Sequence, residues 1–255
     1  MYDPKRLVAQ GYDTITDRYT AWAQQVRAEE RARYTRLLLQ TLPAHATVLE
    51  LGCGAGLPTT HTLAQHFRVI GVDISAQQLA RAKGHVPTAT FIHADMTRLA
   101  FTQACFDAVV AFYSLMHVPR QEYAALFHTI ASWIRPSGWF LATLGLGDLG
   151  AGMEADWLGV PMYWSSFDRA TSLRLLCEAG FVIHRACEET ADEDGGAVTF
   201  LWVLGRREGE SEAVSTPGLT PASSRRPPAD APTSLRLPGA AEAQRYTHWG
   251  EDAQC

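Results

Sequence analysis

The chain of 255 residues has no surplus of basic charge, with 22 Lys and Arg against 27 Asp and Glu and a formal net charge of −5. Holding nucleic acid requires a concentrated positive surface to neutralise phosphates, so small-molecule or protein substrates are expected and nucleic acid is not. Cysteine is sparse: Cys53, Cys105, Cys177, Cys187 and Cys255 form no Cys-x-x-Cys pair. That spacing suggests neither a zinc site nor a disulfide framework, and the cysteines read as mostly buried thiols. No apolar run approaches the roughly 20 residues a membrane span needs. Asp3, Lys5 and Arg6 precede any apolar stretch, so no leader is expected and the cytosol is the expected compartment. Nothing in the composition speaks to oligomeric state.

The chain is 47% hydrophobic and 19% charged, enough for one α/β domain with a full core. Residues 1–42 read as a helical cover. Leu7, Val8, Tyr12, Ile15 and Tyr19 fall near helical spacing, and a second helix rich in Glu and Arg runs from Arg27 to Leu42 before Pro43. A core over 43–205 follows, in which short β-rich runs alternate with helical stretches. The runs are Val48–Leu51, Val69–Val72, Thr90–His93, Ala108–Phe112, Trp139–Leu144, Phe181–Ala186 and Val198–Leu204. Alternation of this kind indicates right-handed βαβ units and a doubly wound, mostly parallel sheet. The last two runs are joined by an acidic loop, Glu188–Gly196, too short for a crossover helix, so they should be antiparallel. From about Arg206 the composition turns to Pro, Ser, Thr and Ala without apolar periodicity, which reads as a disordered tail over 206–255.

The strongest signal is Val48-Leu49-Glu50-Leu51-Gly52-Cys53-Gly54-Ala55-Gly56 followed by Val69-Ile70-Gly71-Val72-Asp73. A buried strand enters a glycine loop whose amides can face a ligand's negative group, and the next strand ends on a carboxylate suited to two ribose hydroxyls. A dinucleotide fingerprint would need its third glycine at Leu57; here it comes at Gly56. Glu50, two residues before the first glycine, suits an ammonium better than a pyrophosphate. In these residues the chain resembles the class I S-adenosylmethionine-dependent methyltransferases, and most of all their small-molecule (type 11-like) branch.

The resemblance implies a Rossmann-like sheet of seven strands with an antiparallel last strand, and S-adenosylmethionine as cofactor. It places Gly52, Cys53, Gly54 and Gly56 beneath the methionine part, Glu50 near its ammonium, and Asp73 on the ribose, with Ile74 against one adenine face. Asp95 and Met96 match the acidic and apolar pair that meets adenine, although Asp95 also reads as a turn cap. Phe112 belongs to the same cofactor shell. Tyr12-Asp13 and Tyr19 resemble the Tyr-Asp-x-x-Ala-x-x-Tyr cover of small-molecule members, with Ile15-Thr16 departing from it. His117, on the loop after the fourth strand, is the candidate general base, or else lines the pocket. Tyr113, Trp157, Met162, Tyr163 and Trp164 are candidate acceptor contacts, the last four in a lid-like segment from Gly145 to Asp168. The alternative for the lid residues is ordinary core or a dimer contact, while Tyr12 and Tyr19 read equally as core. The run Ala111-Phe112-Tyr113-Ser114 lacks the Asn/Asp-Pro-Pro-Tyr/Phe pattern of base-amino methylation, and no oxygen cluster suggests a metal. The expected reaction is methyl transfer to a small aromatic or apolar metabolite, with oxygen favoured over nitrogen. The rival readings are a nicotinamide oxidoreductase and a non-catalytic cofactor-binding protein.

Overall fold

The structure is a computed structural model and describes residues 3–209; most of the stretch read as a tail lies outside them. Three helices lead the chain: α1 (Pro4–Thr14), α2 (Thr16–Ala23) and α3 (Ala28–Thr41). The expected pair is three because the first stretch breaks at Ile15, where the Thr16 hydroxyl turns back to the Tyr12 carbonyl at 2.7 Å. Asp3 caps α1 ahead of Pro4, as carboxylates and prolines favour at helix starts. Arg27, at φ 56°, turns the chain into α3.

Strands β1 (Thr47–Leu51), β2 (Arg68–Asp73), β3 (Thr90–His93), β4 (Phe106–Ala111) and β5 (Ile134–Gly145) follow in that order. They are linked by α4 (Thr59–Ala64), α5 (Ala76–His85) and α6 (Tyr123–Trp133). Next come β6 (Leu149–Trp157), β7 (Val160–Ser166), α7 (Arg169–Glu178), β8 (Phe181–Glu193) and β9 (Gly196–Arg207). The main sheet has seven strands in the order β3-β2-β1-β4-β5-β9-β8. Neighbours from β3 to β5 are parallel, while β9 runs antiparallel to both β5 and β8. The expected doubly wound, mostly parallel sheet with a reversed last strand is thus what forms.

Both sheet faces are covered, which is why the central strands are nearly continuous apolar runs. Along β4, Val109 and Ala111 pack with Phe127 and Ile130 of α6, whereas Ala108 and Val110 pack with Leu37 and Leu38 of α3. On that second face Tyr34 stacks on Trp202 with ring centroids 3.9 Å apart. A separate small core joins Val8, Tyr12 and Ile15 of the cover to Val160, Met162 and Tyr163.

Three local expectations are corrected. The lid-like segment is a hairpin, β6 against β7. The supposed loop Glu188–Gly196 is mostly strand, paired as far as Glu193 with Gly196 across a two-residue turn. Asp194 and Gly195 there have φ 53° and 89°, as the tight turn that matches strand twist requires. Finally, β9 extends to Arg207, past the point where the composition changes. Among cysteines, Cys53 is buried, Cys177 is exposed, and Cys187 is disulfide-bonded rather than a thiol.

Candidate active site

The carboxyl ends of β1, β2, β3 and β4 open onto a cleft of about 630 Å³, where ligands of open α/β sheets bind. Its floor is the glycine loop, with Gly52, Gly54 and Gly56 all at positive φ. Any Cβ at Gly52 would lie 2.3 Å from that of Ser114, so β1 and the β4 loop meet only because the side chain is absent. The loop's amides are spent inside the protein. Gly52 and Cys53 donate to the Val72 carbonyl at 2.8 and 3.0 Å, Gly54 to Asp73 Oδ2 at 2.8 Å, and Gly56 to the Cys53 carbonyl at 3.0 Å. The expectation that these amides face a ligand's negative group is therefore corrected: the glycines shape the cleft and brace Asp73.

Asp73 is held from both sides, its Oδ1 accepting from Ser75 N at 2.8 Å. Burial pushes its carboxyl above the usual range while these amide donors oppose the shift. Glu50 is buried within β1 and accepts from Thr60 Oγ1 at 2.6 Å; burial raises it to about 8. It shares a side pocket with the glycine loop, Cys53, Phe112 and Arg31. Burial pushes the Cys53 thiol up, so it carries no thiolate at neutral pH.

Arg31 is the residue that sequence reading missed. It is 5% exposed, and its Nη1 donates to the Ala23 and Val26 carbonyls at 2.8 and 2.6 Å. Among the described residues no carboxylate pairs with it, and its guanidinium lies 4.4 Å from the Tyr113 ring centroid. It is thus a buried cation beside the glycine loop with no carboxylate partner among the described residues. Only the burial of one arginine in an Arg-rich helix distinguishes it, and a charge count does not show that.

At the other end of the cleft stand Ile74, Asp95 and Met96. Asp95 does cap: its Oδ1 accepts from Thr97 N at 2.9 Å, and Lys5 of α1 reaches its Oδ2 at 2.9 Å. Burial would raise this carboxyl, but Thr97 and Lys5 hold it below the usual range.

His117 sits where the cleft meets a second cavity of about 350 Å³, lined by Trp22, Trp157, Trp164 and Phe200 together with Arg27 and Glu193. Its Nδ1 lies 2.9 Å from the Tyr163 carbonyl, which can only accept, so Nδ1 carries the proton. Nε2 is left with a lone pair and accepts from the Tyr12 hydroxyl at 2.8 Å. Burial lowers His117 to about 4, so the ring is neutral at pH 7. The second cavity's outer wall comes from the hairpin arm misread as a loop: Arg27 pairs with Glu193, and Trp22 Nε1 donates to Asp194 at 3.1 Å.

Tyr12, Tyr19, Tyr113 and His117 line both cavities, and Trp157 and Trp164 line the second. Three candidates fall elsewhere. Gly56 packs against α5, where a Cβ would come within 3.2 Å of Val86. Met162 is fully buried against Gly11 of α1, and Tyr163 offers His117 its carbonyl while its side chain joins the small core. Among the described residues no three His, Cys, Asp or Glu side chains converge as metal ligands, and no helix is long and apolar enough to cross a membrane.

This sheet order, with a carboxylate at the end of β2 and a cleft at the carboxyl ends, is the class I methyltransferase architecture. Residues 48–138 match the methyltransferase domain family. The chain is 31% identical over 175 residues to 27-O-demethylrifamycin SV methyltransferase of Amycolatopsis mediterranei, covering 58% of this chain and 62% of that protein. The match thus spans less than two thirds of that curated relative. Magnesium protoporphyrin IX methyltransferase (ChlM) from Synechocystis PCC 6803, solved with bound SAH, superposes with TM-score 0.62 at 19% identity, over 81% of this chain and 100% of that one. The [4+2]-cyclase SpnF superposes equally, with TM-score 0.62 at 16% identity over 79% and 95% of the chains, so the architecture alone does not name a reaction. Over residues 48–138 in sequence, and in its fold, the chain is similar to S-adenosylmethionine-dependent methyltransferases.

Proposed function

We propose that the chain moves a methyl group from S-adenosylmethionine to a small, ring-bearing or apolar metabolite in the cytosol, with oxygen favoured over nitrogen as acceptor. The observation that carries this reading is that two adjoining cavities, one holding the buried Asp73 carboxylate and one walled by tryptophans, meet at the Tyr12–His117 pair. The residues present fit the cofactor. Asp73 accepts from the ribose, Glu50 balances the ammonium, Arg31 meets the carboxylate, and Ile74 and Met96 pack on adenine. When bound, the cofactor supplies an activated methyl on a sulfonium.

The protein's contribution is placement. Aligning nucleophile and methyl lowers a barrier by on the order of 7 to 11 kcal/mol in the best cases. Trp157 and Trp164 offer ring faces to hold the acceptor, with Tyr113 between the cavities, and together they exclude water. His117 presents one fixed lone pair, which takes the acceptor's proton through the Tyr12 hydroxyl as the methyl moves.

Isothermal titration with S-adenosylmethionine should show binding that Asp73→Ala weakens at least tenfold, as expected for losing charge-assisted bonds to the ribose. His117→Ala should leave that binding intact and reduce turnover. Unchanged binding by Asp73→Ala would count against the cofactor assignment, and unaltered turnover by His117→Ala against a base.

A further inference from the structure

His117 stands on a single 3-10 turn, Leu115–His117, closed by Val118 N donating to the Leu115 carbonyl at 2.9 Å. A turn of that kind has poor hydrogen-bond geometry and does not by itself hold a ring in one orientation. The imidazole is nevertheless aimed at two partners at once, the Tyr163 carbonyl of β7 and the Tyr12 hydroxyl of α1. The contact with Tyr163 decides where the proton sits, because a neutral imidazole carries it on one nitrogen only. A ring drawn away from that carbonyl is free to carry the proton on Nε2, from which it donates to the Tyr12 oxygen and has no lone pair left on that side.

Two side chains tie the turn to β7, one on each side of His117. The Tyr123 hydroxyl, from the first residue of α6, lies 2.9 Å from the Leu115 carbonyl and 3.1 Å from the Ser165 carbonyl. The Ser165 hydroxyl donates to the Val118 carbonyl at 2.5 Å. Residues 115 and 118 are thus both anchored at Ser165, two positions along β7 from the carbonyl that His117 meets. Tyr123 and Ser165 are each 1% exposed, and neither lines any of the three cavities, so whatever they do for the site they do through the turn. The Tyr123 ring packs with Phe127 and Phe167, a place that Phe would fill equally well. What the hydroxyl adds is the joint between the two carbonyls.

We infer that Tyr123 and Ser165 are positioning residues that hold the His117 turn against β7 and so fix the imidazole as the Nδ1–H tautomer, its lone pair facing Tyr12. The consequence for turnover rests on the proposed role of His117 as base; the tautomer itself does not.

Long-range 1H–15N correlation spectra of the full chain labelled with 15N-histidine read both ring nitrogens, His117 being assigned by the signals missing from His117→Gln. The native protein at pH 7 should show an Nε2 with the shift of an unprotonated ring nitrogen and an Nδ1 with that of a protonated one. Tyr123→Phe keeps the ring and removes one hydroxyl; Ser165→Ala removes the other. In each variant the tautomer ratio should move about fivefold toward Nε2–H, the factor that one lost hydrogen bond carries, and the two shifts should approach each other. Turnover should fall in step with the Nδ1–H population, while affinity for S-adenosylmethionine stays native. The two variants loosen the same joint from different sides, so if one fails to fold the other decides. Native-like shifts in the folded variants overturn the inference, as does an Nε2–H ring in the native protein. Shifted tautomers with undiminished turnover leave the positioning role standing and overturn the base role of His117 alone.

Discussion

Glu50→Gln should change stability and cofactor affinity in opposite directions. Glu50 lies in β1 between Leu49 and Leu51, 3% exposed, with burial raising it from 4.5 to about 8. The folded chain therefore prefers the uncharged carboxyl. Its contribution to stability is present below pH 4.5 and is lost as pH rises through about 8. Between pH 5 and pH 9 the difference amounts to ~4 kcal/mol for a group so placed. Glutamine keeps the shape and an acceptor for Thr60 Oγ1 but cannot ionise. Urea unfolding of the cofactor-free protein at pH 5, 7 and 9 should show the variant gaining on native by about 4 kcal/mol across that span. Titration at pH 7.5 should show S-adenosylmethionine bound ten- to a hundredfold more weakly, because a charge partner to the ammonium is worth roughly 1.5–3 kcal/mol. Parallel stability profiles for the two proteins would refute the buried, uncharged state. Equal affinities would refute the ammonium role.

His117 carries the opposite linkage: burial lowers it from 6.5 to about 4, so its stabilising contribution is present above pH 6.5 and is lost as pH falls through 4, ~3 kcal/mol in all. His117→Gln should flatten that part of the acid-unfolding curve, and an unchanged curve would show the ring to be solvated. Gly52→Ala combines φ +76° with a Cβ 2.3 Å from Ser114, so it should lower the midpoint of thermal unfolding and abolish cofactor binding, whereas an intact titration would mean the loop gives way freely.

Much of the core was legible in the chain order of residues because its signals are local. Parallel strands covered on both faces must be runs such as Val48–Leu51, and a glycine triplet between a strand and a helix permits only a few backbone paths. The spacing to Asp73 follows from one βαβ unit, so the place of that carboxylate at the cleft could be read from the residues alone. What stayed hidden depends on pairs remote in sequence. The arm from Glu188 to Gly196 looks like an acidic loop until Arg27, more than 160 residues earlier, neutralises Glu193 and draws the hairpin over the second cavity.

Residue types dictated the sheet, the reversed last strand and the carboxylate at the end of β2, since each rests on periodicity or on spacing within a single unit. Tertiary packing alone decided that the amides of Gly52, Cys53, Gly54 and Gly56 are consumed internally, that Arg31 is buried beside them with no carboxylate partner among the described residues, and that His117 is a neutral ring with its lone pair on Tyr12. The physical reason is that burial and hydrogen-bond competition are properties of a folded neighbourhood, settled by which donors and acceptors the fold brings within about 3 Å of each other.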